Sequence, residues 1–122
     1  MKELANSHLE NLGIHSLNEM QHETQRAILK NENVLLLSPT GSGKTIAFLY
    51  PLIQLLEKDN KEIQCLIIVP TRELGLQIEE VWKKLKTNFK INFFYGGHSY
   101  KTELENLKNA PAVLIATPGR LA

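Results

Sequence analysis

Apolar residues recur along this chain in two alternating patterns. Short continuous runs cover Val34 to Leu37, Ile63 to Val69, Ile91 to Tyr95 and Ala112 to Ala116, the lengths expected of buried strands. Longer stretches lie between them: Thr45 to Glu57, Arg72 to Lys86 and Ser99 to Lys108. In the second, Leu74, Ile78, Val81, Trp82 and Leu85 return at helical spacing. The runs Leu35-Leu36-Leu37 and Leu66-Ile67-Ile68-Val69 are apolar without alternation, which predicts strands covered on both faces. Together these patterns predict an α/β chain, a βαβ series with a mostly parallel sheet and helices on both faces. Pro51 removes one hydrogen bond from the first of these helices, yet Leu49, Leu52, Ile53, Leu55 and Leu56 continue its pattern. Ahead of the first strand, Lys2 to Asn11 and Glu19 to Lys30 read as two helices separated by a turn at Gly13. There is no repeat, low-complexity segment or linker, so one domain is expected, with residues 1–32 as an N-terminal helical part and 33–122 as the sheet-bearing part.

Composition narrows the class without naming a ligand. Of 122 residues, 43% are hydrophobic and 22% charged, a globular profile rather than a disordered or fibrous one. The formal net charge of +1 means that any binding to phosphates comes from the local placement of groups, not from bulk attraction. The single cysteine, Cys65, lies inside an apolar run and reads as a packed side chain, and no disulfide framework is possible. No apolar stretch is long enough to span a bilayer, and Met1-Lys2-Glu3 opens no signal-like segment. These features predict a soluble protein of the reducing cytoplasm, with no membrane partner.

Chemistry concentrates in one loop. After the run Asn33 to Leu37 comes Ser38-Pro39-Thr40-Gly41-Ser42-Gly43-Lys44-Thr45, followed directly by a helical pattern, the strand-loop-helix setting of a Walker A phosphate loop. Glycines let successive backbone N–H groups converge on one anion, and the helix N-terminus adds its dipole. Lys44 can reach outer phosphates and the Thr45 hydroxyl can ligate Mg²⁺. ATP with Mg²⁺ is the expected ligand, held by Ser38, Thr40, Gly41, Ser42, Gly43, Lys44 and Thr45. The usual first position of the pattern is glycine, and here it is Ser38.

Further motifs stand in order around this loop: Pro70-Thr71-Arg72-Glu73-Leu74 after the second run, Gly96-Gly97 after the third, and Thr117-Pro118-Gly119-Arg120 after the fourth. With the phosphate loop, the set resembles the first RecA-like domain of DEAD-box RNA helicases of superfamily 2, over essentially the whole chain. The resemblance implies a RecA-like P-loop fold, ATP hydrolysis and RNA unwinding in a full-length parent, and catalytic roles for Lys44 and Thr45. It implies an adenine-reading glutamine ahead of the phosphate loop, matched by Gln21 in Gly13-Ile14-His15-Ser16-Leu17-Asn18-Glu19-Met20-Gln21, with Ile14 beside the nucleotide. Asn18 and Gln21 are equally spaced as a helix N-cap and its reciprocal partner, so a capping box is the competing reading. Leu4 and Leu17 replace an aromatic residue and a proline usual in the family.

For RNA the resemblance implies contacts through Thr71, Arg72, Gly97, Thr117, Gly119 and Arg120. A physical reason stands beside it: these residues follow the C-terminal ends of strands, where open α/β sheets bind ligands, and several begin helices. Such groups read phosphate and sugar without reading sequence. Helix capping by Thr71 and Thr117, and an exposed Arg72-Glu73 pair, are the plainer alternatives. His8, His15, His22 and His98 lack ligand spacing, Lys83, Lys84 and Lys86 with Glu79 and Glu80 read as a solvated helix face, and Phe93, Phe94 and Tyr95 read as strand core. The acidic Asp-Glu-Ala-Asp stretch of the family is not among these residues, so the expected unit is truncated before it. The transition-state arginine belongs to a second RecA-like domain of the parent chain. Such a fragment is expected to be inactive alone and to self-associate through uncovered strand edges. A superfamily 2 DNA helicase, a stand-alone nucleotide-binding module and a P-loop kinase or small-molecule ATPase are the rivals.

Overall fold

A computed structural model describes residues 8–30, 33–38, 43–94 and 110–121, which divide into two units, Met1–Leu56 and Glu57–Ala122. In the first unit a helical turn at 8–10 stops at Gly13, whose φ of 74° suits glycine. Gly13 N donates to Glu10 O at 2.9 Å and Ile14 N to Leu9 O at 3.1 Å, the crossed pair of a Schellman cap. Leu9 is buried and Ile14 half-buried, so the cap is closed by an apolar contact position as well. Helix α1, Glu19–Lys30, begins with an acid and ends with a base, each at the favourable end of its dipole. Helix α2, Lys44–Leu55, buries Ile46, Ala47, Leu49, Tyr50 and Pro51, and runs on past the proline because burial of that face outweighs one missing hydrogen bond.

The expected strand Val34 to Leu37 is not formed within the described residues of the first unit. Residues 33–38 join no ladder among the described residues, and Leu35 and Leu37 are 83% and 84% exposed. Val34 and Leu36 instead line a cleft of about 550 Å³ with Thr24, Ile28, Lys44 and Phe48. Alternation follows from an extended backbone with one packed face. A run of leucines specifies apolarity, but a strand also needs a neighbour for its N–H and C=O groups.

Among the described residues the second unit holds a three-stranded, all-parallel sheet: β1, Cys65–Ile68; β2, Ile91–Phe94; β3, Val113–Ala116; in the order β1-β3-β2. Central β3 is buried along its whole length, as the apolar run demands. Strand β1 is not: Leu66 and Ile68 are 48% and 57% exposed, so the expectation of two covered faces is not met for this run. Helix α3, Arg72–Leu85, packs on β2 and β3 through Gly75, Ile78, Trp82 and Leu85. That stripe is rotated from the one read in the sequence, since Leu74 is exposed and Val81 half-buried. Gly75 sets the rotation. A Cβ there would collide with the Phe93 ring, so helix and strand approach closely only because the residue is glycine. A short helix α4, Pro118–Leu121, follows β3. The stretch Ser99 to Lys108 lies outside the described residues.

Candidate functional site

Helix α2 starts as an anion site must. Its N-cap is Gly43 at φ 90°, ψ 29°, which has no side chain with which to cap, and the first turn contains no acid. The first helical bond, Ala47 N to Gly43 O at 3.1 Å, leaves the N–H groups of the opening turn without intrahelical acceptors. Lys44 and Thr45 occupy that turn, both half-buried. An anion at this place meets converging donors, the positive end of a 12-residue helix and one ammonium, while the Thr45 hydroxyl is a hard oxygen suited to Mg²⁺. These residues fit a nucleotide phosphate with its metal. Thr40, Gly41 and Ser42 lie outside the described residues, and Ser38 is half-buried.

Gln21 holds this turn from behind. Its backbone N–H donates to Asn18 Oδ1 at 2.8 Å and its Oε1 accepts from Asn18 N at 2.9 Å, so the capping box at the start of α1 is formed. Its Nε2 then donates to Gly43 O at 3.1 Å. Gly43 O thus accepts twice, filling both lone pairs. With Gln21 only 6% exposed, the two side-chain bonds lock the amide's orientation. A Cβ on Gly43 would lie 2.5 Å from Gln21 Nε2. Among the described residues, each end of the amide keeps unused capacity, one N–H and one lone pair. The bond to Gly43 had no local signal in the sequence, because its partners are 22 positions apart.

In the second unit, two of the sequence-derived RNA positions stand beside each other. The parallel register aligns Ile68 with Ala116, and Val69 N donates to Ala116 O at 3.0 Å, so Thr71 and Thr117 leave the same end of paired strands. Neighbouring strands lie about 4.8 Å apart, which makes the loops that follow them adjacent. Thr71 caps α3, its Oγ1 accepting from Leu74 N at 3.2 Å, so the plainer capping alternative is formed at this residue. Arg72 opens the helix and is exposed, and Pro118 and Gly119 are exposed ahead of Arg120 in α4. A Cβ at Gly119 would meet nothing within 4 Å, so its own surroundings do not demand glycine there. Gly97 lies outside the described residues. Among the described residues no cluster of three His, Cys, Asp or Glu side chains could hold a metal, and no helix is long and apolar enough to cross a membrane.

A family model described as DEAD/DEAH box helicase matches residues 18–122, from the capping asparagine to the end. The chain belongs to the DEAD/DEAH box helicase family. Among curated DEAD-box relatives, it is 37% identical over 114 residues to the ATP-dependent RNA helicase CshC of Bacillus cereus, covering 92% of this chain and 29% of that protein. It is 44% identical over 111 residues to RhpA of Helicobacter pylori, covering 89% and 22%. A hypothetical ATP-dependent RNA helicase from Sulfolobus tokodaii superposes with a TM-score of 0.84 at 32% identity, over 99% of this chain and 35% of that one. The RNA helicase Prp28 from Chaetomium thermophilum, solved with ADP, gives 0.84 at 31% identity over 98% and 31%. The DEAD-box chain described here thus spans between about a fifth and a third of these relatives' lengths, and its α/β fold is that of their RecA-like domains.

Proposed function

We propose that this chain is the nucleotide-binding part of an ATP-dependent RNA helicase, taking ATP through the first turn of α2 and RNA backbone through the ends of β1 and β3. The observation that carries the reading is the opening of α2: left-handed Gly43, then Lys44 and Thr45, with the Gly43 carbonyl held by Gln21. Lys44 would bind the outer phosphates and Thr45 the Mg²⁺, which supplies charge neutralisation on the phosphates when bound. Ser38, Thr40, Gly41, Ser42 and Gly43 would line the phosphates. Gln21 would read adenine with the donor and acceptor left over from its cap, beside Ile14. The relatives named as RNA helicases, and the ADP-bound state of Prp28, support nucleotide and RNA as ligands.

RNA contact through Thr71, Arg72, Gly97, Thr117, Gly119 and Arg120 would be to phosphate and sugar, hence independent of sequence. Hydrolysis and unwinding belong to the parent protein with its second RecA-like domain. The exposed Leu66 and Ile68 on edge strand β1 support self-association of the piece by itself. Titration of ATP with Mg²⁺ by calorimetry tests the reading: Lys44→Ala should lose most of the affinity, and equal binding by parent and variant would refute it. Unwinding of matched RNA and DNA duplexes by the parent protein separates an RNA helicase from a DNA-directed one.

A further inference from the structure

The last turn of α3 and the chain after it carry Lys83, Lys84, Lys86 and Lys90 within eight residues, with no acid among them. This segment is held from several sides. Lys86, at φ 54°, ends the helix with its N–H donated to Lys83 O at 3.2 Å, and Asn88 also takes a left-handed φ of 68°. Thr87 Oγ1 accepts from Phe89 N at 3.1 Å, Trp82 Nε1 donates to Phe89 O at 3.0 Å, and Lys90 O accepts from Ala112 N at 2.9 Å. Two left-handed residues within three positions fold the chain sharply, so that Lys83, Lys86 and Lys90 line one cleft of about 290 Å³ together with Asn88. None of its lining residues among the described ones is acidic.

The C-terminus of a helix favours one nearby cation, but four lysines this close repel one another. Glu79 and Glu80 offset part of that repulsion from outside the cleft. Lys84 pairs with Glu80 at 3.2 Å between two exposed side chains and Lys83 with Glu79 at 3.8 Å, and surface ion pairs of this kind are of small worth. A basic cleft of this kind suits a partner bearing several phosphates. Its position is distinct from the strand ends described above. The cleft lies where β2 begins, and Thr71 stands at the other end of α3, whose 14 residues span about 21 Å.

We propose that this cleft is a second contact for the sugar-phosphate backbone of RNA. The inference rests on the RNA reading of the preceding section. A strand held at Thr71 and Arg72 keeps its own further phosphates at high local concentration near the other end of α3. At about 3.4 Å per nucleotide along a stacked strand, roughly six nucleotides separate the two contacts. Only longer RNA engages both.

Fluorescence anisotropy decides it, with RNA of about four and about twenty nucleotides, the first too short to span α3 at that rise. The proteins compared are the parent chain, Arg72→Ala and the triple variant Lys83→Gln/Lys86→Gln/Lys90→Gln. Circular dichroism of the triple variant should match the parent, since none of the three side chains is buried. For long RNA, the triple variant should bind at least about tenfold more weakly and lose about 2 from the salt slope, at ~0.7 per single-strand phosphate contact. For short RNA it should equal the parent. Unchanged affinity and slope with long RNA, while Arg72→Ala weakens binding, would overturn this inference and leave the RNA reading standing. Absence of RNA binding by the parent itself would overturn both. If inorganic phosphate abolishes the lysine-dependent affinity where chloride of equal ionic strength does not, the cleft takes free phosphate and the polynucleotide assignment falls.

Discussion

Gln21 and Gly43 are joined by a hydrogen bond of 3.1 Å from the glutamine amide to the glycine carbonyl. The same amide closes the capping box of α1 through Asn18. One buried side chain therefore ties the start of the first long helix to the turn that opens the second, whose backbone is the part of the proposed site that would meet phosphate.

Gly43→Ala should damage the site twice over. The left-handed φ of 90° costs a residue with a Cβ about 1–2 kcal/mol, and that Cβ would also displace the Gln21 amide. The expected result is a lower melting temperature and at least tenfold weaker ATP binding. Adding Gln21→Ala removes the collision but not the backbone strain, so thermal melts of the double variant should recover only part of the loss.

Two substitutions at Gln21 separate its cap from its other roles. Gln21→Glu keeps an acceptor for the Asn18 N–H, a good capping-box partner, but loses the donor to Gly43 O. Gln21→Ala loses both, at about 1 kcal/mol for the cap. We expect the glutamate variant to melt higher than the alanine one, and both to bind ATP and GTP alike where the parent prefers ATP. Equal affinities in the parent would reduce Gln21 to a structural residue.

Gly75→Ala should destabilise the second unit by about 1–3 kcal/mol, the cost of overpacking a filled contact, since the new methyl group meets the Phe93 ring. Chemical denaturation measures it. Phe93→Leu, harmful in the parent by itself, should lose less in the Gly75→Ala background, and strict additivity would argue against contact between the two.

Burial pushes the Cys65 thiol above its usual pKa. The protonated form is thus favoured in the folded state, so the associated stability is complete below the ordinary thiol range and declines as pH rises through the folded value. Denaturation midpoints should fall on going from neutral to alkaline pH, by less in Cys65→Ala. Alkylation at neutral pH should be slow in the folded chain and fast in denaturant, because the thiolate is the reactive form.

Much of this protein was legible in local spacing. Helices α1 and α3 follow their apolar and capping residues closely, α2 begins at the lysine of the phosphate loop, and the Asn18–Gln21 box and the Thr71 cap are both formed. These features depend on hydrogen bonds across three or four positions, which the residues themselves specify. The three paired strands were equally plain as apolar runs, and α/β class followed from their alternation with helices. Order and pairing were not written locally. That β3 lies between β1 and β2, and that α3 turns Gly75 rather than Leu74 toward the sheet, depend on which distant surfaces meet. The bond from Gln21 to Gly43 belongs with them: donor and acceptor chemistry was present in the sequence, but only the packing of α1 against α2 brought the two groups within reach.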